Sequence, residues 1–305
     1  MKGRGKQFLI VFTMIIVLPV TVSHGGIGEA FAAEKEFPSK EINIYIGFPP
    51  GGSQDITGRV INKVLEKILG VPVIVINKPG ASASVCASFV ASSKPDGYTL
   101  DYMLHPFPLI KKIEEPGLPF GPDEMTLFGF PYEYSHMLTV RSDSPWKTYE
   151  DFVEYAKKKE IKFGSGGTPQ EYNQIEFAEM LGLKTILVPY AGGGPAVQAL
   201  LGGHVDVITV SSGPTGPYVR SGDFRWLVYF GPKRNAVFQD IPSIKEKGLE
   251  LYAGGWTLFA GPKGIPEPVV QKLQKALDQT AETEEIKELF RKFGWDYSYR
   301  TAKDS

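Results

Sequence analysis

From residue 42 onwards, short apolar segments alternate with segments of helical periodicity, and this alternation constrains the fold more than any other feature. The apolar segments have the length of buried strands, whereas the others repeat apolar residues every three to four positions, as amphipathic helices do. The first third of the chain predicts strands at 42–48, 71–77 and 98–104 and helices at 55–69 and 81–92. Such a β-α-β-α-β order with nearly continuous apolar strands predicts a parallel sheet covered by helices on both faces.

The same alternation repeats in the middle of the chain. Strands are predicted at 136–141, 161–165, 185–190, 205–211 and 224–230, with helices at 149–159, 169–181 and 195–201. Two further helices are predicted at 267–280 and 284–293. We therefore predict two α/β lobes with a ligand-binding cleft between them. Lobe 1 comprises residues 34–135 plus 256–305, and lobe 2 comprises residues 136–255.

The N-terminal segment has the pattern of a secretory signal peptide. Three basic residues within the first six positions precede an apolar run at 8–22, and the small residues Ala30, Ala32 and Ala33 follow. The alternative is a retained membrane anchor, but a helix of that run would extend only ~22 Å, short of a ~30 Å hydrocarbon core. We therefore predict a signal peptide at 1–33 and an exported protein that is periplasmic or otherwise extracytoplasmic.

Composition limits the classes of partner and cofactor. The chain of 305 residues is 42% hydrophobic with a formal net charge of -1, and removal of the signal peptide leaves a net charge of -3. No basic cluster then remains to bind phosphates, so a nucleic-acid partner is not expected. The one cysteine, Cys86, cannot form an internal disulfide and is expected to be buried. No Cys/His pair has zinc-binding spacing, and neither a metal nor a cofactor is expected.

Three glycine-rich turns join predicted strands to predicted helices: PPGGSQD at 49–55, FGSGGTPQ at 163–170 and PYAGGGPA at 189–196. The helix that follows each turn presents unpaired N–H groups and a positive dipole end, which attract an anion. Two explanations fit: one shared cleft for an anionic or polar ligand, or three helices capped by their own side chains. Carboxylate is favoured over phosphate because the first turn lacks the lysine of a GxxxxGK[ST] loop.

Several spaced motifs carry a resemblance to one family. The first is FPPGGSQDITGR at 48–59, followed by NKPGA at 77–81 and PDGYTL at 95–100. Later motifs are VPY at 188–190, LLGGHVD at 200–206, QDIPSIKEKGL at 239–249 and GWTLFAGPKGIPEPVV at 255–270. In this order, over essentially the whole mature chain, they resemble the Bug family, the extracytoplasmic solute receptors of tripartite tricarboxylate transporters.

The resemblance implies a two-lobed, periplasmic-binding-protein-like (venus flytrap) α/β fold with mainly parallel sheets flanked by helices. It also implies a monomeric receptor without catalysis, which captures a small organic carboxylate and delivers it to membrane permease subunits. One loop in each lobe would grip the ligand through backbone amides and ordered water. Carried over to this sequence, the ligand-binding positions are Phe48, Gly51, Gly52, Ser53, Gln54, Asp55, Ser165, Gly166, Gly167, Thr168, Tyr190, Ala191, Gly192, Asp206 and Ser211.

The second loop departs from the family pattern. The usual order is Gly-Ser-Pro-Gly-x-Gly-Ser with a histidine a few residues on, whereas this chain has Pro169 at the second expected glycine and Asn173 at the expected histidine. Proline has no N–H to donate, so the set of donors in this loop differs. We therefore expect ligand choice to depend on the region around Ser165.

Two other functions remain open: a carboxylate sensor for a membrane signalling kinase, and a cleft hydrolase with Ser165 as the nucleophile. The sequence around Ser165 is GSGG, a poor match to the GxSxG elbow of hydrolases. His105 and His136 could reach the cleft as ligand contacts, or could be half-buried and hydrogen-bonded within the protein. Trp256, beside two glycines at the predicted crossing, is the aromatic residue most suited to stack on a ligand.

Overall fold

The structure is a computed structural model that describes residues 36–105 and 107–297. The predicted signal peptide at 1–33 lies outside the described residues. Within these ranges, no helix combines the length and apolar character needed to cross a membrane.

The described residues form alternating strands and helices over most of their length. The strands are β1 Ile42–Ile46, β2 Val73–Asn77, β3 Thr99–His105, β4 Met125–Arg141, β5 Ile161–Ser165, β6 Thr185–Pro189, β7 Val207–Ser211, β8 Phe224–Tyr229, β9 Gly254–Pro262 and β10 Asp296–Tyr297. The helices are α1 Ser53–Leu69, α2 Ser84–Ala91, α3 Phe107–Glu114, α4 Tyr149–Lys158, α5 Thr168–Leu181, α6 Gly193–Leu201, α7 Ser212–Ser221, α8 Glu267–Ala281 and α9 Glu284–Phe293.

The strands form two lobes that share β4. In lobe 1, β1 pairs in parallel with β2 and β3, and β9 runs antiparallel to β3. In lobe 2, β5 pairs in parallel with β6 and β7. The first part of β4, up to Ser135, pairs with β9, and its last part, from His136, pairs with β7 and β8. The chain therefore crosses between the lobes inside one long strand, while the exact residue boundaries of the lobes stay a prediction.

Each lobe has its own hydrophobic core. In lobe 1, Ile44, Tyr102 and Phe259 from the sheet pack with Phe290 of α9, so a C-terminal helix contributes to the N-terminal lobe. In lobe 2, the cluster includes Phe152, Phe163, Phe177, Val228 and Phe230. Two separate cores joined by strands allow each lobe to keep its packing while the angle between them changes.

Among the elements that differ from the sequence predictions, helices α2 and α7 have reasons that can be read from their backbone and sequence. Helix α2 begins at Ser84 and not at 81, because Ala81, Ser82 and Ala83 all adopt positive φ angles, between 44° and 73°. Helix α7 was not predicted at all, since its sequence SGPTGPYVRS contains two glycines and two prolines. Tertiary contacts offset this low propensity: Thr215 in α7 accepts a hydrogen bond at 3.0 Å from the Trp226 indole of β8.

Candidate ligand-binding site

A small cavity lies where the two lobes meet, with about 390 Å³ of empty space including its mouth. Lobe 1 lines it with the first glycine turn, the start of α1, the end of β3 and the middle of β4, and lobe 2 lines it with the starts of α5 and α6 and the end of β7. The described lining residues are Phe48, Gly52, Ser53, Gln54, Leu104, Tyr134, His136, Gly166, Gln170, Gly193, Val210 and Ser211. None of these is an Asp, Glu, Lys or Arg, so an anion here would depend on neutral donors and helix dipoles.

We call residues 48–55 loop 1, and a hydrogen-bond network around Asp55 fixes its shape. The Asp55 carboxylate accepts from the Gly51 N–H and the Asn77 side-chain amide, both at 3.0 Å, and forms an ion pair with Arg59 at 2.8 Å. Asn77 also donates to the Phe48 carbonyl at 3.0 Å. Gly51 sits at φ 83°, a left-handed conformation that glycine adopts without strain.

Asp55 itself is a structural carboxylate. Burial acts to raise its pKa, but the hydrogen bonds from Arg59, Gly51 and Asn77 together lower that pKa below its ordinary value. An ionised carboxylate whose oxygens are already occupied can hold loop 1 in place but is poorly suited to donate a proton. The motif residues Asp55, Arg59 and Asn77 therefore shape the loop and do not line the cavity.

Four helices begin at or beside the cavity. Gly52, Gly167, Gly192 and Ser211 are the N-cap residues of α1, α5, α6 and α7, and none of these four caps makes a side-chain hydrogen bond to its own helix. The N-caps of α2, α8 and α9 also make no such bond, whereas Thr148 forms a complete capping box at the start of α4. The first-turn N–H groups of a helix have no partner within the helix, so those facing the cavity can donate to a bound anion.

We call residues 165–168 loop 2, and its polar groups are engaged within lobe 2. The Gly166 N–H donates to Gln170 Oε1 at 2.5 Å, and the Ser165 hydroxyl donates to Glu171 at 2.9 Å. Ser165 is fully buried, which leaves its oxygen shielded from the cavity. Loop 2 therefore presents fewer free donors than its sequence of glycines and serine suggests.

Glycines let the two lobes touch directly across the cavity. A Cβ on Gly194 would lie 2.6 Å from the Pro50 carbonyl oxygen, and a Cβ on Gly192 would lie 2.9 Å from the Pro49 side chain. The hydroxyls of Ser53 and Ser211 also form a hydrogen bond between the lobes. The structure therefore shows the lobes closed, with loop 1 seated against the start of α6.

Two of the residues that line the cavity have a buried side-chain atom without a hydrogen-bond partner among the described residues. These atoms are Gln54 Oε1 and His136 Nδ1, on residues that line the cavity and are 2% and 3% exposed. Burial lowers the pKa of His136 to about 4, so the imidazole is neutral at physiological pH. Orphaned polar atoms of this kind are costly unless a ligand or water satisfies them.

The structure brings part of the predicted site together. Phe48, Gly52, Ser53, Gln54, Gly166 and Ser211 line the cavity. Gly51, Asp55, Ser165, Gly167 and Gly192 are not among the described lining residues, and they shape the loops or cap the helices. Tyr190 is half-buried and its N–H bonds the Ser165 carbonyl, and Ala191 is exposed. Thr168 begins α5, and its side chain lies outside the described part of the structure.

Two residues singled out in the sequence lie away from the cavity. Asp206 precedes β7, where its carboxylate accepts from the Lys162 N–H at 2.8 Å, while Ser211 occupies the other end of that five-residue strand. The strand spans about 16 Å, so its C-terminal end lines the cavity while Asp206 at the other end does not. Trp256 lines a second cavity together with Tyr229 and Asp296, and is not among the described residues of the first.

Sequence reasoning did not select Leu104, Tyr134, Gln170 and Val210 as site residues, and left the role of His136 open. These side chains come from the ends of β3 and β7, from the crossing strand β4 and from α5. For Leu104 and Val210 the available signal was positional, because residues at the C-terminal ends of predicted parallel strands face the cleft. The described residues contain no group of three or more His, Cys, Asp or Glu arranged to hold a metal ion.

A further contact joins the lobes between α3 and α5. Tyr172 of α5 donates a hydrogen bond to Glu114 of α3, and Lys111 pairs with the same carboxylate. Lys111 and then Tyr172 lower the pKa of Glu114, so the carboxylate is ionised when the lobes are closed. The contact spans the lobes and therefore exists only in the closed arrangement.

Tyr172→Phe is expected to destabilise the closed arrangement slightly and to weaken ligand affinity about 2- to 5-fold, because an exposed charge-assisted contact contributes little. The loss should be seen in a faster dissociation rate measured by stopped-flow displacement. Tyr155→Phe in α4, half-exposed against Trp146, is the matched control and should not change that rate. Equal dissociation rates for Tyr172→Phe and the wild type would show that the contact does not hold the lobes together.

The two lobes and the cavity between them define a protein of the solute-binding class, and comparison with known proteins identifies its family. The sequence profile of the tripartite tricarboxylate transporter receptor family matches residues 57–305. The chain therefore belongs to this family, as the resemblance predicted. The UPF0065 protein of the gbd 5′ region in Cupriavidus necator is 36% identical over 282 residues, which cover 90% of this chain and 84% of that protein.

Solved structures confirm the predicted two-lobed fold. The periplasmic binding protein BugD is similar with a TM-score of 0.78 and 26% identity, over 87% of this chain and 91% of that one. MatC from Rhodopseudomonas palustris, solved with bound malate, is similar with a TM-score of 0.77 and 27% identity, over 85% of this chain and 90% of that one.

Proposed function

We propose that this protein is an extracytoplasmic receptor that closes around a small organic carboxylate and delivers it to a tripartite tricarboxylate-type membrane permease. It acts as an exported monomer without a metal or cofactor. The two lobes move relative to each other when the protein closes. Lobe 1 comprises residues 34–135 plus 256–305, and lobe 2 comprises residues 136–255. The ligand lies in the cavity at the crossing of β4, against loop 1 and the starts of α6 and α7.

One observation carries this proposal: the first turns of helices from both lobes converge on one cavity without charged lining residues among those described. Several helix ends add their positive potential where the ligand binds, and each end is worth about 0.3–1 kcal/mol exposed and up to ~2 kcal/mol when partly buried. Because the donors come from both lobes, an anion between them stabilises the closed state. MatC, with bound malate, is a precedent for a carboxylate ligand in this fold.

The site favours binding over catalysis. A serine hydrolase needs its nucleophile exposed and bonded to a general base. Ser165 is instead buried and donates to Glu171, and His136 is neutral and lies on the crossing strand. We therefore propose that the protein is not an enzyme.

Thermal-shift measurements with a panel of organic acids test this function. At a ligand concentration 100 times the dissociation constant, binding adds about 2.7 kcal/mol to the free energy of unfolding, which raises the melting temperature measurably. At least one carboxylic acid should produce this rise, and its methyl ester, which lacks the charge, should not. A folded protein that responds to no carboxylate in a broad panel would overturn the proposal.

Delivery is tested separately in cells. Deletion of the gene should abolish uptake of the acid identified above, and expression of the wild-type receptor should restore it only where permease subunits are present. Uptake that persists without the receptor would contradict delivery and leave carboxylate binding intact.

A further inference from the structure

The orientation of the Gln54 side-chain amide determines which of its atoms is left without a hydrogen-bond partner. Its Nε2 donates to the Tyr102 backbone carbonyl, which can only accept, so the amide cannot be reversed without placing two acceptors together. The Oε1 atom is therefore the one that remains free, on a residue that is 2% exposed and lines the cavity. An amide oxygen accepts hydrogen bonds and repels a carboxylate, so a ligand that displaces water from this atom must present a donor to it.

This donor lies close to the ligand carboxylate. Gln54 is the second residue of α1, and Gly52, Ser53 and Gln54 at the start of this helix all line the cavity. A carboxylate held by that turn places the substituent on its adjacent carbon nearest to Gln54. The matching group is a hydroxyl or an amine at the 2-position of the acid.

A hydroxyl fits this position better than an ammonium group. A buried ammonium needs an acidic partner, and no described lining residue is acidic. The nearest carboxylate along the chain, Asp55, is already paired with Arg59 and bonded by Gly51 and Asn77.

Beyond the helix ends that hold the first carboxylate, the described lining residues supply no charge to balance a second one. The Gly166 N–H of loop 2 is occupied by Gln170, and no described lining residue is Lys or Arg. His136 stays neutral because burial lowers its pKa to about 4, so it offers no positive charge. Phe48, Leu104 and Val210 supply apolar surface for the remainder of the ligand.

We propose that the ligand is a 2-hydroxy monocarboxylate whose hydroxyl donates to Gln54 Oε1, an inference that rests on the proposed function. Its carboxylate accepts from the first turns of the helices around the cavity. Its carbon chain lies against the apolar lining.

Calorimetric titration of matched acids tests this proposal on the wild-type protein. Lactate with propanoate and mandelate with phenylacetate form two pairs that differ only in the 2-hydroxyl. In the pair that binds more tightly, the hydroxy acid should bind at least about 10-fold better, because the deoxy acid leaves a buried acceptor unsatisfied. Equal affinity within that pair would overturn the proposal. Alanine binding more tightly than lactate would also overturn it, and so would malate binding more tightly than both lactate and mandelate. If no carboxylate of any kind binds, the proposed function itself is wrong.

A variant locates the selectivity at Gln54. Gln54→Met removes the acceptor, so the preference for the hydroxy acid over its deoxy partner should fall to about 2-fold or less. Gln271→Met on the exposed face of α8 is the matched control and should keep the wild-type ratio. An unchanged ratio in Gln54→Met would overturn the assignment. If this variant does not fold, the wild-type pairs still decide the question.

Discussion

Gly194→Ala is expected to weaken carboxylate binding about 10- to 100-fold while the unliganded protein folds normally. In the closed structure the new Cβ would lie 2.6 Å from the Pro50 carbonyl oxygen and 3.1 Å from the Gly52 nitrogen. Both are backbone atoms of loop 1 in the opposite lobe, so no side-chain rotation relieves the overlap. Such overpacking destabilises the closed state by about 1–3 kcal/mol and leaves the open state unaffected, because the overlapping atoms are apart when the lobes are open.

The matched control for this variant is Gly117→Ala, whose Cβ meets no described atom within 4 Å. Calorimetry should give wild-type affinity for the control, and small-angle scattering should show that only Gly194→Ala remains open when the ligand is added. Wild-type affinity in Gly194→Ala would mean that the contact between loop 1 and α6 is not needed for binding.

Asp101→Asn is expected to stabilise the protein at pH 8. Asp101 is 2% exposed on β3, and burial raises the pKa of its carboxyl to about 7, with a hydrogen bond from the Cys86 thiol acting in the opposite direction. The unfolded chain loses this proton near pH 4, whereas the folded chain holds it to about pH 7. The folded wild type therefore loses stability as the pH rises from about 4 to 7, by about 4 kcal/mol at most.

The pH dependence distinguishes this effect from a general change in packing. Asparagine cannot ionise, so the melting temperature of Asp101→Asn should exceed that of the wild type at pH 8, and the gain should vanish near pH 4. Asp123→Asn, on the exposed surface of lobe 1, serves as the control and should follow the wild-type curve. An advantage for Asp101→Asn that is equal at both pH values would contradict ionisation as its cause.

The sequence predicted the parts of the fold that depend on local periodicity. Helix α9 spans Glu284–Phe293, as predicted, and the strand β5 likewise has its predicted limits, Ile161–Ser165. The first part of β4, from Met125, was missed because its apolar and aromatic residues do not alternate regularly and its pairing with β9 is made by residues far along the chain. Helix α7 was missed because packing, and not propensity, holds its glycine- and proline-rich sequence in place.

For the site, loop 1 could be predicted because Pro49, Gly51 and Gly52 determine its turn locally and Asp55 fixes it from the next helical turn. The lower donor capacity of loop 2 could be suspected from Pro169. That Gln170 occupies the Gly166 amide depends on a side-chain rotamer, which periodicity does not specify. The positions of Leu104, His136 and Val210 around one cavity depend on how the lobes close over β4, and this is a property of the assembled fold.

Calorimetric titration combined with NMR analysis of the mixture tests the central claim most directly. The acid with the largest thermal shift should bind the purified wild-type receptor with one ligand per chain and should be recovered chemically unchanged. Absence of binding heat with a folded protein, or conversion of the acid to a product, would contradict a carboxylate receptor.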